Sequence, residues 1–235
     1  MTEQQDHTHA LPEGFPLEAE SARVVGALIE KSMTTPDNYP LSLNAVTTAC
    51  NQVSNRNPVV DYSEDMVERT LRALADHGIA SLYHKPGDRV VKYVHKLERA
   101  LGIGPEATSV LAVLLLRGDQ TPGELRQRTE RYGTFDSPAA VEATLSEMMS
   151  FTPALVQRLP RQPGQKEQRY RQLIAGDLST ARTEFVPAVD TTPTATAPES
   201  DQPLASNAHD KLADRVARLE RRLDALLDAL GVDNI

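Results

Sequence analysis

The chain carries one sequence pattern twice, and this repeat limits the possible folds more than any other feature does. The pattern V-E-x-T-L occupies residues 67–71 and recurs at residues 141–145, 74 positions further along. Residues 82–93 and 159–170 share Leu, Pro-Gly and Tyr at matching places, at an offset of 77. Similar patterns at a nearly constant spacing indicate that one supersecondary unit occurs twice. We therefore expect two units of the same kind side by side.

Each unit shows the same order of helix and strand signals. In the first unit, the apolar spacing predicts helices before Thr34, from Ser42 to Cys50 and from Ser63 to Gly78, then strands over residues 79–83 and 89–94. In the second unit, it predicts helices over residues 108–116, 122–130 and 137–149, then strands over residues 155–159 and 168–174. Three helices followed by a β-hairpin is the order of a winged helix, a helix-turn-helix variant.

The predicted fold class is therefore mainly α with small β-hairpins (α+β), with two tandem winged-helix domains and a C-terminal coiled-coil-like helix. The predicted segments are a disordered N-terminal tail (1–16), a first winged-helix domain (17–98), a second winged-helix domain (106–176), a disordered Thr/Pro/Ala-rich linker (177–207) and a C-terminal amphipathic helix (208–231). The linker is predicted to be disordered because its composition offers little apolar surface to bury.

The last of these segments has the a/d alternation of a coiled coil. Its apolar residues follow one another at steps of four and three: Leu212, Val216, Leu219, Leu223, Leu226 and Leu230. An isolated helix of this length is marginal in water, so it needs a surface to bury its apolar side. We expect it to form a homo-oligomer or to bind a partner helix.

Composition favours a cytoplasmic bacterial protein. The single Cys50 cannot form an intramolecular disulfide and fits a reducing compartment. The first 16 residues are polar and lack the apolar region of a secretory signal. No apolar run approaches the roughly 18 residues that a membrane span needs, so no membrane partner is expected.

No combination of residues in the sequence predicts catalysis. The six histidines do not pair with cysteines or acids at a metal-ligand spacing, and phosphate-binding and nucleophile motifs are absent from the sequence. Cys50 lies on the apolar side of a helix, where a core residue is the better interpretation. His84 and His95 could face each other across the first hairpin, as surface residues. We expect a protein without enzymatic activity, cofactor or metal.

The charge pattern leaves DNA binding open. Residues 17–98 carry nine bases and eleven acids, and residues 106–175 carry nine bases and eight acids, so the repeats lack a strong basic footprint. In a winged helix the third helix usually enters the major groove. Here the third helix of the first unit begins with Glu64 and Asp65, and that of the second unit contains no basic residue. Neither helix is suited to reading bases.

The hairpins are more basic than the helices, and they supply the candidate contacts to the DNA backbone. These are Lys85, Arg89 and Lys92 on the first hairpin and Arg158, Arg161, Lys166 and Arg169 on the second. Cations on such hairpins commonly contact phosphate. Charges on strand edges that prevent aggregation explain the same pattern equally well. The polar loop over residues 51–57 could also contact a ligand, but a structural loop with satisfied hydrogen bonds is the better interpretation.

Several long motifs resemble the YceH-like family of uncharacterised bacterial proteins. They are the segments 37–44, 49–59, 89–93, 114–126 and 159–167, and the resemblance covers roughly residues 17–176. It implies a tandem winged-helix fold and, because the family has no established activity, no function.

Two classes of function follow from these patterns. The first is a DNA-associated, transcription-regulator-like module that contacts the DNA backbone through its hairpins. The alternative is a protein-interaction scaffold that uses the winged helices and the C-terminal coil without binding nucleic acid. Basic hairpins favour the first class, whereas acidic third helices and a net charge of −8 favour the second.

Overall fold

Each repeat folds into three α-helices followed by a β-hairpin, in the order that the sequence predicts, and the first repeat adds a short strand before its second helix. The computed structural model describes residues 11–84, 90–161, 164, 165 and 167–176. The first repeat contains α1 (Ala19–Thr34), a 3-10 helix (Pro36–Asn38), β1 (Leu41–Ser42), α2 (Leu43–Cys50), α3 (Glu64–Asp76), β2 (Ala80–Tyr83) and β3 (Lys92–His95). Helix α4 (Leu97–Leu101) connects the two repeats. The second repeat contains α5 (Pro105–Arg117), α6 (Pro122–Thr129), a 3-10 helix (Glu130–Tyr132), α7 (Pro138–Ser150), β4 (Val156–Arg158) and β5 (Tyr170–Gln172). The described residues thus form a mixed α and β fold.

Both repeats belong to one compact part of the chain, which spans Met1–Pro187, and a separate part spans Ala188–Ile235. This separate part lies outside the described residues, as does the predicted linker. The predicted coiled-coil positions from Leu212 to Leu230 therefore also lie outside them.

Side-chain caps fix where several helices begin. The hydroxyl of Ser42 accepts a hydrogen bond from the backbone of Ala45 at the start of α2, and Ser63 caps α3 in the same way. Helix α6 begins with a capping box between Thr121 and Glu124, which satisfies two otherwise free backbone donors. The helix starts that the sequence predicts at Ser42 and Ser63 are thus confirmed.

The strands form two small antiparallel sheets, with strand orders β1-β3-β2 and β4-β5. Strand β1 is not predicted by the sequence, because two residues are too short to show an alternating pattern. The register pairs His95 with Ala80. The expectation that His84 and His95 face each other is therefore wrong.

The core lies between the first helices of the two repeats. Residues 22–30 of α1 and 107–116 of α5 are buried without interruption. A helix that is buried on all sides lies at the centre of a fold. The apolar spacing of α1 places Arg23 and Glu30 away from its apolar face. The structure buries both, because α5 covers the side of α1 that a single amphipathic helix would expose.

Glycine permits this close approach of α1 to α5. A Cβ atom added to Gly26 would lie 3.0 Å from Cγ of Leu116 and 3.2 Å from Cβ of Leu115. Contacts at these distances are tighter than ordinary van der Waals packing. The absence of a side chain at this position therefore allows α1 and α5 to pack as closely as they do.

The start of the first repeat also meets the end of the second. The backbone amide of Leu17 donates to the carbonyl of Ile174 at 2.8 Å, and the amide of Gly176 donates to the carbonyl of Leu17 at 3.0 Å. These bonds join segments that are more than 150 residues apart in the chain. The described residues between 17 and 176 therefore share one core, and the two ends of this segment meet.

Candidate functional site

The cations predicted to contact DNA have different environments. Lys85, Arg89 and Lys166 lie outside the described residues. Arg158 and Arg161 are exposed on the second hairpin, whereas Lys92 is half-buried in β3. Exposure leaves the two arginines of the second hairpin accessible to a large anion.

Arg169 is part of the structure of the second hairpin. Its guanidinium donates to Oε2 of Glu124 at 2.8 Å and to the carbonyl of Asp119 at 2.8 Å. Arg171, on β5, forms a bidentate pair with the carboxylate of Asp119 at 2.8 and 2.6 Å. These pairs connect the hairpin to the turn between α5 and α6, and they offset much of the positive charge predicted for the hairpin.

The third helix of each repeat presents mainly acidic or neutral side chains. Glu64, Asp65 and Arg69 are exposed on α3, and Arg72 forms an ion pair with Glu68 at 2.6 Å. On α7 the exposed residues include Glu142, Ser146 and Glu147. These surfaces are poor in the donors that recognise guanine or adenine edges.

A buried ion cluster joins the two repeats. The carboxylate of Glu30, on α1, accepts a hydrogen bond from Arg56 at 2.5 Å and another from Arg131 of the second repeat. The side chain of Glu30 is 2% exposed and that of Arg56 is fully buried. Burial alone would raise the pKa of Glu30, but the hydrogen bond and charge of Arg56, with the charge of Arg131, lower it below its usual value. Glu30 is thus ionised at neutral pH.

The polar loop between α2 and α3 surrounds this cluster. Arg56 also donates to the carbonyl of Ala49 and to Oε1 of Gln52. Asn51 makes two hydrogen bonds of 2.8 Å to the backbone of Tyr62. The amide of Asn57 donates to the carbonyl of Leu116 in the second repeat. The interpretation of residues 51–57 as a structural loop is thus confirmed for the side chains of Asn51, Gln52 and Arg56.

Arg23 and Cys50 lie in the same buried region. The guanidinium of Arg23 donates to the carbonyls of Cys50 and Pro58. Burial, followed by the charge of Arg56, lowers the pKa of Arg23. The thiol of Cys50 is fully buried, which raises its pKa to about 12. Cys50 is therefore a core residue, as the sequence predicts, because a nucleophile requires an accessible thiolate.

A serine and a histidine meet in the first repeat, but they do not form a nucleophilic pair. Oγ of Ser32 donates to the carbonyl of Ile29 at 2.8 Å and lies 3.2 Å from Nε2 of His95. The hydroxyl proton is thus already used, so Oγ is left to accept a hydrogen bond from Nε2 in the tautomer that carries its proton there. Nδ1 of His95 is buried and has no hydrogen-bond partner among the described residues. Burial lowers the pKa of His95 to about 4.

A polar groove opens beside the ion cluster, with a volume of about 310 Å³. The loop of the first repeat forms one wall, with Asn55 and Asn57. The end of α5, helix α6 and the second hairpin form the other, with Arg117, Arg128 and Arg169. The sequence pattern gives no reason to select Arg117 or Arg128, because they come together with residues 55–57 only when the repeats pack.

The described residues show neither a metal centre nor a membrane span. Within them, no three His, Cys, Asp or Glu side chains come together in a way that could hold a metal ion. No helix in the same part of the chain is long and apolar enough to cross a bilayer.

Comparison with known proteins places the chain in a bacterial family. Residues 17–165 match a family model described as "Protein of unknown function, DUF480". A UPF0502 protein of Geotalea uraniireducens is 47% identical over 204 residues, which cover 87% of each chain. A UPF0502 protein of Burkholderia multivorans is 41% identical over 224 residues, covering 95% of this chain and 92% of the relative. The resemblance inferred from the sequence motifs is confirmed, and the chain belongs to the uncharacterised DUF480 family, whose curated relatives are named UPF0502 proteins.

Proposed function

We propose that the two repeats are tandem winged helices and that the protein is a non-enzymatic, DNA-associated module of the transcription-regulator type, acting in the cytoplasm. The observation that supports this most is the pair of exposed arginines, Arg158 and Arg161, on the second hairpin. Exposed cations on such a hairpin suit contacts to the phosphate backbone of duplex DNA. The order of three helices and a hairpin in each repeat supports the same proposal.

The same proposal predicts weak sequence specificity. The exposed residues of α3 include Glu64 and Asp65, which repel phosphate, and the exposed face of α7 includes Glu142 and Glu147. Base recognition usually requires Arg, Lys, Asn or Gln on the helix that enters the major groove. Affinity should therefore come from backbone contacts and fall steeply as salt increases.

Fluorescence anisotropy with a duplex DNA, at several salt concentrations, tests the proposal. The variant Arg158→Ala/Arg161→Ala should bind about tenfold more weakly at low salt, and its salt slope should shrink by about 0.9 for each phosphate that it no longer neutralises. The matched control is Lys96→Ala/Arg99→Ala, which removes two exposed charges from the connection between the repeats.

The possible outcomes distinguish whether the protein binds DNA from which of its surfaces does so. If the wild-type protein does not bind DNA at low salt, the DNA proposal fails. If it binds and the hairpin variant has the same affinity and slope, DNA binding stands but the contact surface lies elsewhere.

The second candidate function is a protein-interaction scaffold. It is favoured by apolar side chains that are exposed on and beside the first hairpin: Leu82 is 56%, Val90 54% and Val91 39% exposed. Several exposed apolar side chains on one hairpin suit a contact with another protein. This candidate takes the place of the first if DNA does not bind.

In either case we propose self-association or partner-helix binding through the segment from Leu212 to Leu230. Its apolar residues repeat at steps of four and three, which requires a surface for burial. The variant Leu219→Glu/Leu223→Glu should abolish association measured by analytical ultracentrifugation. An unchanged sedimentation mass for this variant, in a protein that associates, would exclude the segment as the interface.

A further inference from the structure

The groove between the repeats is lined only by polar and charged residues. Four of its nine lining residues are arginines: Arg56, Arg117, Arg128 and Arg169. The two carboxylates are those of Asp119 and Glu124. Its volume of about 310 Å³ lies at the lower end of the range of roughly 300–1,000 Å³ for ligand pockets. The groove therefore suits a small polar ligand or part of a larger one.

Both carboxylates already have cationic partners. Glu124 binds Arg169 at 2.8 Å, and Asp119 binds Arg171 at 2.6 Å. Arg56 is likewise paired, with Glu30. These pairs leave Arg117 and Arg128 to determine the charge that an incoming ligand meets.

Arg117 and Arg128 have little compensation of their own. The only ion pair of Arg128 among the described residues is a long one, 3.7 Å to the carboxylate of Glu124, which Arg169 already holds. The guanidinium of Arg117 makes no hydrogen bond or ion pair within the described part of the chain. Burial lowers the pKa of Arg117, the charges of Arg128 and Arg131 lower it further, and the charges of Tyr132 and Glu30 oppose this only in part. Two close cations whose nearest carboxylates, Glu124 and Glu30, are already held by other arginines create a positive potential that favours an anion.

The turn that follows Arg117, the last residue of α5, is held in place. Nε2 of Gln120 donates to the carbonyls of Arg117, Gly118 and Asp119, at 3.2, 3.2 and 2.8 Å. On the opposite wall, Asn55 and Asn57 line the groove with amide side chains that can donate hydrogen bonds. An ordered backbone, two guanidinium groups and neutral donors are the features expected of a site for a tetrahedral oxyanion. Guanidinium groups match phosphate oxygens in charge and in geometry.

We propose that this groove binds a phosphate group, with Arg117 and Arg128 as charged donors and Asn55 and Asn57 as neutral donors. The phosphate belongs either to the backbone of DNA or to a free phosphate ester. In the first case the site extends the proposed DNA-binding function, on which it then rests. In the second case it is independent of that function.

The test uses the full-length chain and two probes, inorganic phosphate and a duplex DNA. Isothermal titration calorimetry measures phosphate binding by the wild type and by Arg117→Gln/Arg128→Gln. The matched control is Arg99→Gln/Arg126→Gln, which removes two exposed charges outside the groove and includes a residue of the same helix α6. The groove variant should bind phosphate at least about tenfold more weakly, and the control should match the wild type.

A measurement without ligand shows that the variant is folded. Because Arg117 lacks an ion pair and faces other arginines, Arg117→Gln should leave the thermal unfolding midpoint without phosphate unchanged or raise it slightly. Phosphate should then raise the midpoint of the wild type and of the control but not that of the groove variant. A large fall in the unliganded midpoint of Arg117→Gln would show that this residue has a structural role, and would overturn the proposal.

The measurement with duplex DNA identifies the source of the phosphate. If the groove variant also loses DNA affinity and part of its salt slope, while Arg158 and Arg161 are intact, the groove holds a backbone phosphate. If it loses only phosphate binding, the ligand is a free phosphate ester. If neither phosphate nor DNA binding depends on Arg117 and Arg128, the proposal is overturned, whether or not the exposed hairpin arginines bind DNA.

Discussion

In the first repeat the principal ion pair is buried, whereas in the second repeat the ion pairs lie at the surface. The side chains of Arg56 and Glu30 are 0% and 2% exposed, and those of Arg169 and Glu124 are 34% and 30% exposed. When a buried carboxylate is removed, water cannot solvate the cation that it leaves behind. When an exposed carboxylate is removed, water can do so. The two repeats thus contain ion pairs that should differ strongly in their contribution to the free energy of unfolding.

The position of each cluster explains this difference. Glu30 lies on α1, which α5 covers, and its partners come from both repeats. Asp119 and Glu124 lie at the turn and first residues of α6, at the edge of the unit, and their partners come from the neighbouring hairpin. The first cluster therefore joins the repeats, and the second orients one hairpin.

The sharpest test of this comparison is to neutralise one carboxylate in each cluster. The variant Glu30→Gln should lose about 3–5 kcal/mol of unfolding free energy, because it leaves the buried Arg56 without its counter-ion. The variant Asp119→Asn, which breaks the exposed pair with Arg171, should lose less than about 1 kcal/mol. Urea denaturation measures both changes. Equal losses in the two variants would show that burial does not distinguish the clusters.

A second test concerns equivalent positions in the two hairpins. At the offset of 77, His95 corresponds to Gln172, whose buried amide makes two hydrogen bonds to the backbone of Ala175. His95 is mostly buried, and its pKa falls from 6.5 to about 4 on folding. Because the folded state binds the proton less readily, the stability that neutral His95 contributes is complete above pH 6.5. It is lost as the pH falls towards 4.

We therefore expect the wild type to lose about 3 kcal/mol more unfolding free energy between pH 7 and pH 4 than His95→Gln does. Urea denaturation at several pH values gives both profiles. Comparing the two proteins cancels the contribution of Glu30, which is present in each. Parallel profiles would mean that His95 titrates normally in the folded protein.

The smallest expected effect is on the free energy of unfolding when a glycine is replaced by alanine. The comparison is between a glycine that lies between the repeats and one in the second repeat. In Gly26→Ala the new methyl group meets Leu116 at 3.0 Å, so we expect a loss of about 1–3 kcal/mol from overpacking, reduced by the higher helix propensity of alanine. In Gly123→Ala the nearest atom is 3.8 Å away, and stability should stay the same or rise slightly. Thermal unfolding followed by circular dichroism measures both. A stabilised Gly26→Ala would show that the two helices can separate at no cost.

The repeat in the sequence identifies equivalent core positions correctly. Val67 and Val141 match in V-E-x-T-L, and both are fully buried, on α3 and α7. Leu71 and Leu145 match in the same pattern, and they are also buried. Local pattern is sufficient here because each position packs within its own repeat.

Contacts between the repeats could not be predicted in the same way. The spacing along α1 indicates one apolar face and places Glu30 outside it, and nothing in that helix shows that α5 covers the other side. The unbroken apolar run from Leu111 to Leu116 is a clue, because it is typical of a helix buried all round. The groove has no such signal, because Asn55 and Arg117 meet only through the packing of α1 against α5.

The hydrogen bonds of Leu17 to Ile174 and Gly176 have a topological consequence. They bring the two ends of the two-repeat unit together, so the path of the chain through residues 17–176 is a closed ring in all but one covalent connection. A ring of this kind can be opened elsewhere without changing which elements are neighbours. The turn at Gly102, between α4 and α5, is a natural place to open it, and the second repeat would then precede the first.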